Sequence, residues 1–393
     1  MKYIDEVDIR NKRILLRVDY NVSLNKNHHI INDERIRQSL PTITYLLKKN
    51  NTIILLSHLG RPHLHDKSLS LKPIADDLQK LLPECEIVFV PDLDHLPIEI
   101  TRTGNLNRIF LLDNIRYYKG EEKNDIEFTK KLAQHGDVYV NDAFSVSHRV
   151  SSSVVGLPSL LPSFGGLLMK KEVETIEKII KDPKHPVVAI LGGAKISTKL
   201  HLINRLIEIS DFILLGGGLA NTFLLALKNE VGRSLVEKNE IKQALHLITH
   251  ASTKHCRLLL PSDVVVGGKD GRHAVIKPVH MLSQHDIIYD IGPETQAIFA
   301  QAILQANTII WNGPVGLFEE PAYQRGTDFI YYAITANSKA TSLVGGGETL
   351  AALSEKEKLD RITHISTGGG AMLAFIEKGT LPGIDALNSS KSL

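Results

Sequence analysis

The sequence predicts an α/β protein of two domains, each a mostly parallel sheet flanked by helices, joined by a long helix and hinge. Three observations predict it. Apolar runs of strand length alternate with helical patterns in both halves of the chain. The chain has 393 residues, more than the roughly 250 to 300 that one hydrophobic core supports. Between the halves lies Gly165 to Pro186, GGLLMKKEVETIEKIIKDPKHP, where Leu167, Leu168, Val173, Ile176, Ile179 and Ile180 keep near-helical spacing and Pro183 and Pro186 stop the pattern. Periodicity alone leaves this helix open to being one more crossover in a single sheet, so the contents of the two halves decide.

In the first half four runs, ILLRVDYN, TIILLSHLGRP, RIFLLDNIR and DVYVNDAFSVSHR, each stop at a polar loop. Helical patterns fall around Ile36 to Lys49, Pro73 to Leu82 and Glu121 to His135, the last closed by Gly136. Strand, helix, strand means a parallel sheet, whose ligands gather outside the carboxyl ends of the strands. Asp19 and Asn21 follow the first run, His58 and Arg61 the second, Arg116 the third, and His148 and Arg149 the fourth, while Arg35 lies just before a helix. The guanidinium fork matches carboxylate and phosphate. One arginine could be a solvated surface residue; recurrence at the same topological place points to an anion site. His63, His65 and Asp66 have metal-like proximity but stand in a polar loop and read as surface.

In the second half the runs VVAILGGAK, FILLGGGLAN, RLLLPSDVVV, TIIWNGPVG, SLVGGGET and HISTGGGA read as strands, most ending in glycine-rich turns. Glycine lets backbone approach a ligand closely, and amides at a following helix start favour phosphate. Such clusters, recurring in one half, point to a nucleotide site. Lys195 and Lys199, in GGAKISTKL, are spaced one helical turn apart and are expected to face one ligand from a helix start. Glu319 and Glu348 offer carboxylates suited to a ribose or a magnesium ion. There is no GxxxxGK[ST], no GxGxxG opening either half, and no HRD or DFG, which argues against a P-loop protein, a dinucleotide-dependent dehydrogenase and a protein kinase. A non-catalytic anion sensor could keep the arginines but has no use for the two lysines.

Composition narrows the partners. Hydrophobic residues make up 43% and charged residues 23%, and no apolar run approaches the roughly 18 residues of a membrane span. A net charge of +2 gives no global field for nucleic acid or membrane, so small ligands are expected. Cys85 and Cys256 each precede a β-like run without a partner at metal-ligand spacing, and read as reduced thiols. The start, MKYIDEVDIRNKR, has no secretory pattern, and the cytoplasm is the expected compartment.

The stretches LRVDYNVSL, DERIRQSLPTI, LLSHLGRP, LLDNIRYYKGEEKND, YVNDAFSVSHR, ILGGAKIS, GGGLANTFL, DIGPETQAIF, IIWNGPVGLFE, LVGGGET and HISTGGGA resemble the phosphoglycerate kinase family along almost the whole chain. The resemblance implies two Rossmann-like domains and a usually monomeric enzyme that exchanges a phosphoryl group between ATP and the carboxylate of 3-phosphoglycerate, with magnesium accompanying ATP or ADP. It implies a phosphoglycerate-binding domain at 1–166, an interdomain helix and hinge at 167–186, a nucleotide-binding domain at 187–370, and a segment at 371–393 packing back on the first domain. Matched position by position, Asp19, Asn21, Arg35, His58, Arg61, Arg116 and Arg149 correspond to the family's substrate-binding residues. Lys195, Lys199, Glu319 and the Gly345-Gly346-Gly347-Glu348-Thr349 loop correspond to its nucleotide side, with Gly192, Gly193, Gly216, Gly217, Asn312 and Pro314 around base and phosphates.

Five positions depart from the family pattern. Glu348 stands where an Asp holds the nucleotide's magnesium, Ser151 replaces a His of the basic patch, and Thr198 an Asp beside the lysines. Met372 and Ala374 replace a Ser and a Glu. The implied chemistry assigns catalysis to Arg35, Lys195 and Lys199. It needs no general base, because the attacking carboxylate is already ionised at neutral pH.

Overall fold

The computed structural model describes residues 1–63, 66–96, 107–354 and 356–391, with Gly346 and Glu348 described by backbone alone. His65 lies outside these residues, as does the side chain of Glu348. The chain divides into two compact units, Met1–Glu174 with Lys378–Leu393, and Thr175–Glu377.

Among the described residues the first unit holds six parallel strands: β1 (Arg13–Arg17), β2 (Thr52–Leu56), β3 (Glu86–Val90), β4 (Arg108–Leu112), β5 (Val138–Asn141) and β6 (Ser163–Gly165), in spatial order β3-β4-β2-β1-β5-β6. Crossovers are made by α1 (Glu34–Lys48), α2 (Lys72–Leu81), α3 (Ile126–Ala133) and α4 (Leu157–Leu160). Both faces are covered. Ile14, Leu16, Ile53, Leu55, Ile109 and Leu111 pack in one core, and Leu15, Ile54, Leu56, Phe110, Leu112 and Tyr139 in another. Burial on both faces is why these strands read as continuous apolar runs instead of alternating ones. Two parallel strands, β3 and β6, join the four runs that stop at polar loops; β3 is the β-like run after Cys85, and β6 is only three residues long. The helix expected from Glu121 starts at Ile126, because Asp125 caps it through the Phe128 amide at 2.8 Å and Glu121 is buried ahead of it. Near the C-terminus α13 (Pro382–Asn388) docks in this unit, with the Gly383 amide on the Ser147 carbonyl at 2.8 Å and Leu387 in the core beside Leu15.

The long helix α5 (Leu167–Lys181) is shorter than its sequence pattern. Gly165 pairs with Asn141 as the end of β6, and the helix stops two residues before Pro183. Its first three amides are met by side chains: Leu167 by the Thr42 hydroxyl at 2.9 Å, Leu168 and Met169 by one oxygen of the buried Asp142 at 2.9 and 3.1 Å. A Cβ on Gly166 would sit 2.2 Å from that oxygen, so only glycine fits at this junction.

In the second unit β7 (Val187–Leu191), β8 (Phe212–Leu215), β9 (Arg257–Leu259), β13 (Thr308–Asn312), β14 (Thr341–Gly345) and β15 (His364–Ser366) form a parallel sheet in order β15-β14-β13-β7-β8-β9. Its helices are α6 (Leu200–Ile207), α7 (Gly217–Ala226), α8 (Ile241–Thr253), α9 (Pro293–Gln305), α10 (Arg325–Ala336), α11 (Gly346–Ala351) and α12 (Gly370–Lys378). Residues of α9 and α10, including Phe299, Ile303, Ile330 and Ile334, pack on Val188, Ile190, Ile309, Trp311 and Val344 of the sheet. RLLLPSDVVV is not one strand. After β9 the chain breaks at Pro261, which has no amide to donate, and β10 (Asp263–Val266) joins a separate antiparallel sheet between β11 (Val275–Pro278) and β12 (Ile288–Ile291).

Candidate functional site

Each parallel sheet has one place where the strand order reverses, and crevices open at such points. In the first sheet it lies between β1 and β5, and in the second between β7 and β13.

Asp19, after β1, and Ser145, after β5, meet across the first crevice, where Asp19 accepts the Ser145 hydroxyl and pairs with Arg35 at the start of α1. Burial pushes the Asp19 pKa up, but the Arg35 guanidinium, helped by the bonds from the Ser145 hydroxyl and the Asn21 amide, holds the carboxyl below its usual range. His58, after β2, is 3% exposed, and this burial carries its pKa well below the usual value, with Arg17, Arg116 and Arg149 adding to the effect against Asp19. His58 is therefore neutral at pH 7, and Arg35 is the charge that keeps Asp19 ionised. Arg17 lies 3.3 Å from Nδ1 of His58, whereas the nearest Asp19 oxygen is at 3.8 Å. Since arginine can only donate, Nδ1 accepts and the ring proton sits on Nε2.

Beside this, Arg17, Arg116, Arg149, Ser151 and Glu121 line a cavity of about 230 Å³. Arg116 donates to the Gly60 carbonyl at 2.6 Å, and burial and the neighbouring Arg149 bring its pKa down to about 10, still fully charged at neutral pH. Arg149 Nε is buried with no hydrogen-bond partner among the described residues. A buried, unmatched guanidinium N–H costs free energy unless an acceptor arrives. Ser151 and Ser153 both donate to buried Glu121, at 2.9 and 2.6 Å, and Arg17 donates to Ser153 at 2.9 Å. The hydroxyl at position 151 thus serves a carboxylate brace. Asn21 accepts the Gly60 amide at 2.8 Å, while Arg61 is exposed on the same loop. Arg17 closes the run ILLR as a charge ending an apolar strand; sequence reasoning, which weighs residues after the strands, passes over it.

The second crevice is floored by backbone turns. A Cβ on Gly192 would come within 1.9 Å of the Pro314 carbonyl oxygen, so the turns after β7 and β13 touch as only glycine permits. Gly193, Gly217, Pro314, Val315 and Glu319 line a cavity of about 650 Å³. Gly216 backs onto Val315. Tyr289, Arg233 and Lys269 also line the cavity without a sequence signal, since they come from loops far apart in the chain. Lys199 is not on the face of a helix with Lys195, as the spacing suggests. The segment turns at 196–199, with the Lys199 amide on the Ile196 carbonyl at 2.8 Å, and α6 begins only at Leu200. Lys199 Nζ donates to the Gly192 carbonyl and the Asn312 side-chain oxygen, both at 2.7 Å, whereas Lys195 is exposed. Thr349 joins the β14–α11 turn to the crevice by accepting the Gly313 amide at 2.9 Å and donating to the Gly345 carbonyl at 2.6 Å. Met372 is buried behind that turn, where a Cβ on Gly345 would lie 2.3 Å from its methyl.

Charged side chains at one switch point and a cavity floored by glycine turns at another define a two-unit α/β protein. The phosphoglycerate kinase family profile matches residues 4–379. The chain is 45% identical to the phosphoglycerate kinase of Dictyoglomus turgidum over 386 residues, covering 97% of this chain and 96% of that protein. It is 41% identical to that of Thermus thermophilus over 392 residues, covering 98% and 100%. Its fold matches the structure of phosphoglycerate kinase from Coxiella burnetii at a TM-score of 0.88, with 36% identity and 99% of both chains covered. The chain belongs to the phosphoglycerate kinase family. Its reaction is accordingly the phosphoryl exchange between ATP and the carboxyl group of 3-phosphoglycerate, a step of glycolysis. No helix among the described residues is long and apolar enough to cross a membrane.

Proposed function

We propose that the acid substrate binds in the crevice between β1 and β5 and the nucleotide in that between β7 and β13. The observation that carries this is the buried, unmatched Arg149 Nε beside Arg116 in one crevice, set against a cavity floored by glycine turns in the other. Arg61, Arg116 and Arg149 hold the phosphate of 3-phosphoglycerate, Asn21 and neutral His58 orient its body, and Asp19 holds Arg35 toward the reacting carboxylate. His58 donates through Nε2, the nitrogen left after Arg17 takes the other.

No general base is required, because the attacking group is a carboxylate ionised at neutral pH. Asp19 is committed to Arg35 and Ser145, so it is not free to act as one. What remains is positioning and charge neutralisation. Arg35 and Lys195 stabilise charge on the transferred phosphoryl, and Lys199 the nucleotide phosphates. Gly345, Gly346, Gly347, Glu348 and Thr349 offer a turn at the phosphates, with Gly192, Gly193, Gly216, Gly217, Asn312 and Pro314 around the rest, and Glu319 at the ribose.

Among the described residues no three His, Cys, Asp or Glu side chains converge as a metal cage. Magnesium in such sites arrives with nucleotide phosphates and keeps mostly phosphate and water ligands. Glu348 is the residue that would hold it, and when bound the ion neutralises phosphate charge. With the two substrates on different units, transfer requires the units to close and exclude water; Gly165, Gly166 and the Pro183–Pro186 stretch are the hinge. We assign a monomer working in the cytoplasm.

The test is ATP formation from ADP and 1,3-bisphosphoglycerate, with Arg35→Ala compared against an exposed Arg→Ala control. Equal activity in the two variants would remove Arg35 from the mechanism. For the hinge, small-angle scattering should show compaction when both substrates bind; none would refute closure. For the metal, Glu348→Ala should raise the magnesium requirement, and an unchanged magnesium titration would remove Glu348 as a ligand.

A further inference from the structure

The segment between β7 and α6 carries both lysines, yet they are fixed by different means. Lys199 is fastened by its own Nζ to the Gly192 carbonyl and to Asn312. Lys195 is exposed, so the place its ammonium can reach is set by the backbone beneath it. That backbone is gripped from outside by Glu237, forty residues on from Ser197. Its Oε2 accepts the Ser197 amide at 2.9 Å and its Oε1 accepts the Ser197 hydroxyl at 2.6 Å. Within the turn the Thr198 hydroxyl donates to the Lys195 carbonyl at 3.1 Å.

Glu237 is itself anchored to the nucleotide side of the sheet. Its amide donates to the Thr222 hydroxyl at 3.1 Å, and Asn221 donates to the Leu235 carbonyl at 3.3 Å. Thr222 and Asn221 are buried on α7, the helix whose first residue, Gly217, abuts Gly193. One path therefore runs from the cavity wall through α7 and Glu237 to the turn that bears Lys195. A carboxylate receiving donors from one short turn fixes its geometry more tightly than a neutral acceptor, because charge-assisted bonds are about twice as strong. Burial pushes the Glu237 carboxyl up, the Ser197 bonds outweigh it and hold the group below its usual range, and the charge of Lys195 adds to the lowering.

We infer that Glu237 is a positioning residue for phosphoryl transfer, clamping the turn at Ser197 so that Lys195 meets the transferred phosphoryl group. This rests on the assignment of Lys195 made above. Glu237 touches no reacting atom. Its effect should appear in kcat and only where Lys195 is present.

The experiment is steady-state kinetics of Glu237→Ala, Glu237→Gln, Lys195→Ala and the double variant Glu237→Ala/Lys195→Ala, in the direction of ATP formation. Misplacement of a catalytic group by an ångström can cost up to about 100-fold; Glu237→Ala should lower kcat by about 10-fold or more, leaving the KM for 1,3-bisphosphoglycerate within about 2-fold. Glu237→Gln keeps an acceptor for Ser197 and should fall between wild type and Glu237→Ala; it supplies the measurement if the alanine variant does not fold. In the Lys195→Ala background, loss of Glu237 should change kcat by less than about 2-fold. An unchanged kcat in Glu237→Ala, or the same fold-loss with and without Lys195, would overturn the inference. Lys195→Ala with unchanged kcat would overturn the lysine assignment and this clamp with it, whereas a loss in Lys195→Ala alone would overturn only the clamp.

Discussion

The crevice after β1 and β5 and the crevice after β7 and β13 occupy equivalent places in two parallel sheets, but they are built from different materials. The first is walled by Arg17, Arg35, Arg116, Arg149 and His58, so its shape depends on where charged side chains are held. The second rests on turns that touch as backbone and carry Lys195 and Lys199, with side chains such as Arg233, Leu235 and Tyr289 along the rest of its lining. A small, fixed acid with a phosphate at one end suits a set of guanidinium forks. A longer ligand with several phosphates and a base suits amides, glycine and an apolar wall. The lesson is that an equivalent place in a fold sets where a ligand goes, while loop composition sets which ligand.

That contrast can be broken most forcefully at the charges assigned to the reacting group. Arg35→Ala should lower kcat by about 100- to 1000-fold, the scale for losing a donor to transition-state charge, and should also lower the melting temperature, because it leaves the buried Asp19 carboxylate without its ion-pair partner; steady-state kinetics with calorimetry checks both. Next, Arg149→Ala should raise the KM for 3-phosphoglycerate by about 10- to 100-fold, following the roughly 1.5 to 3 kcal/mol of a hydrogen bond to a charged group, and leave the KM for ATP within about 2-fold. Gly192→Ala should do the reverse. Its methyl meets the Pro314 carbonyl, so we expect a loss of about 1 to 3 kcal/mol of stability and a raised KM for ATP with that for 3-phosphoglycerate little changed.

The smallest effect separates the two units by pH. Burial raises the pKa of Asp142 to about 6 in the first unit and of Asp290 to about 7 in the second. A raised carboxyl pKa means the folded state keeps a proton that the unfolded state has lost, so this contribution falls as pH rises from about 4 to the folded pKa. In the first unit His58 has the opposite sign. Its lowered pKa makes the unfolded state the better proton binder, so its contribution is full above about 6.5 and is lost as pH falls through the folded pKa. Hydrogen-exchange protection of the β7 and β13 amides should therefore decline between about pH 5 and 7 relative to β1 and β5. Asp290→Asn should shrink the difference, leaving the part that His58 contributes in the first unit, and equal trends in both units of the wild type would refute it.

Much of the architecture is legible because strands buried on both faces are apolar throughout: ILLR, TIILL, RIFLL and VYVN announce β1, β2, β4 and β5 without help from context. The loop cations are legible because a charge after such a run is at a carboxyl end by construction. What cannot be read depends on distant partners. β10 leaves the run RLLLPSDVVV because it pairs with β11 and β12, neither of which is marked by alternation. Arg17 reads as strand because its cavity is assembled by residues about a hundred positions later. Glu237 goes unnoticed in a polar loop, since nothing in its neighbourhood names Ser197. The turn beneath Lys195 reads as a helix because four-residue spacing of two lysines looks the same in either conformation.

The claim that two differently built crevices divide the ligands is tested most directly by hydrogen-exchange footprinting of the whole chain with each ligand alone. With 3-phosphoglycerate we predict protection confined to the loops at 18–21, 57–61, 113–116 and 142–149. With ADP and magnesium it should be confined to 192–199, 216–219, 312–319 and 345–349. Protection of one common set of loops by both ligands would contradict the account.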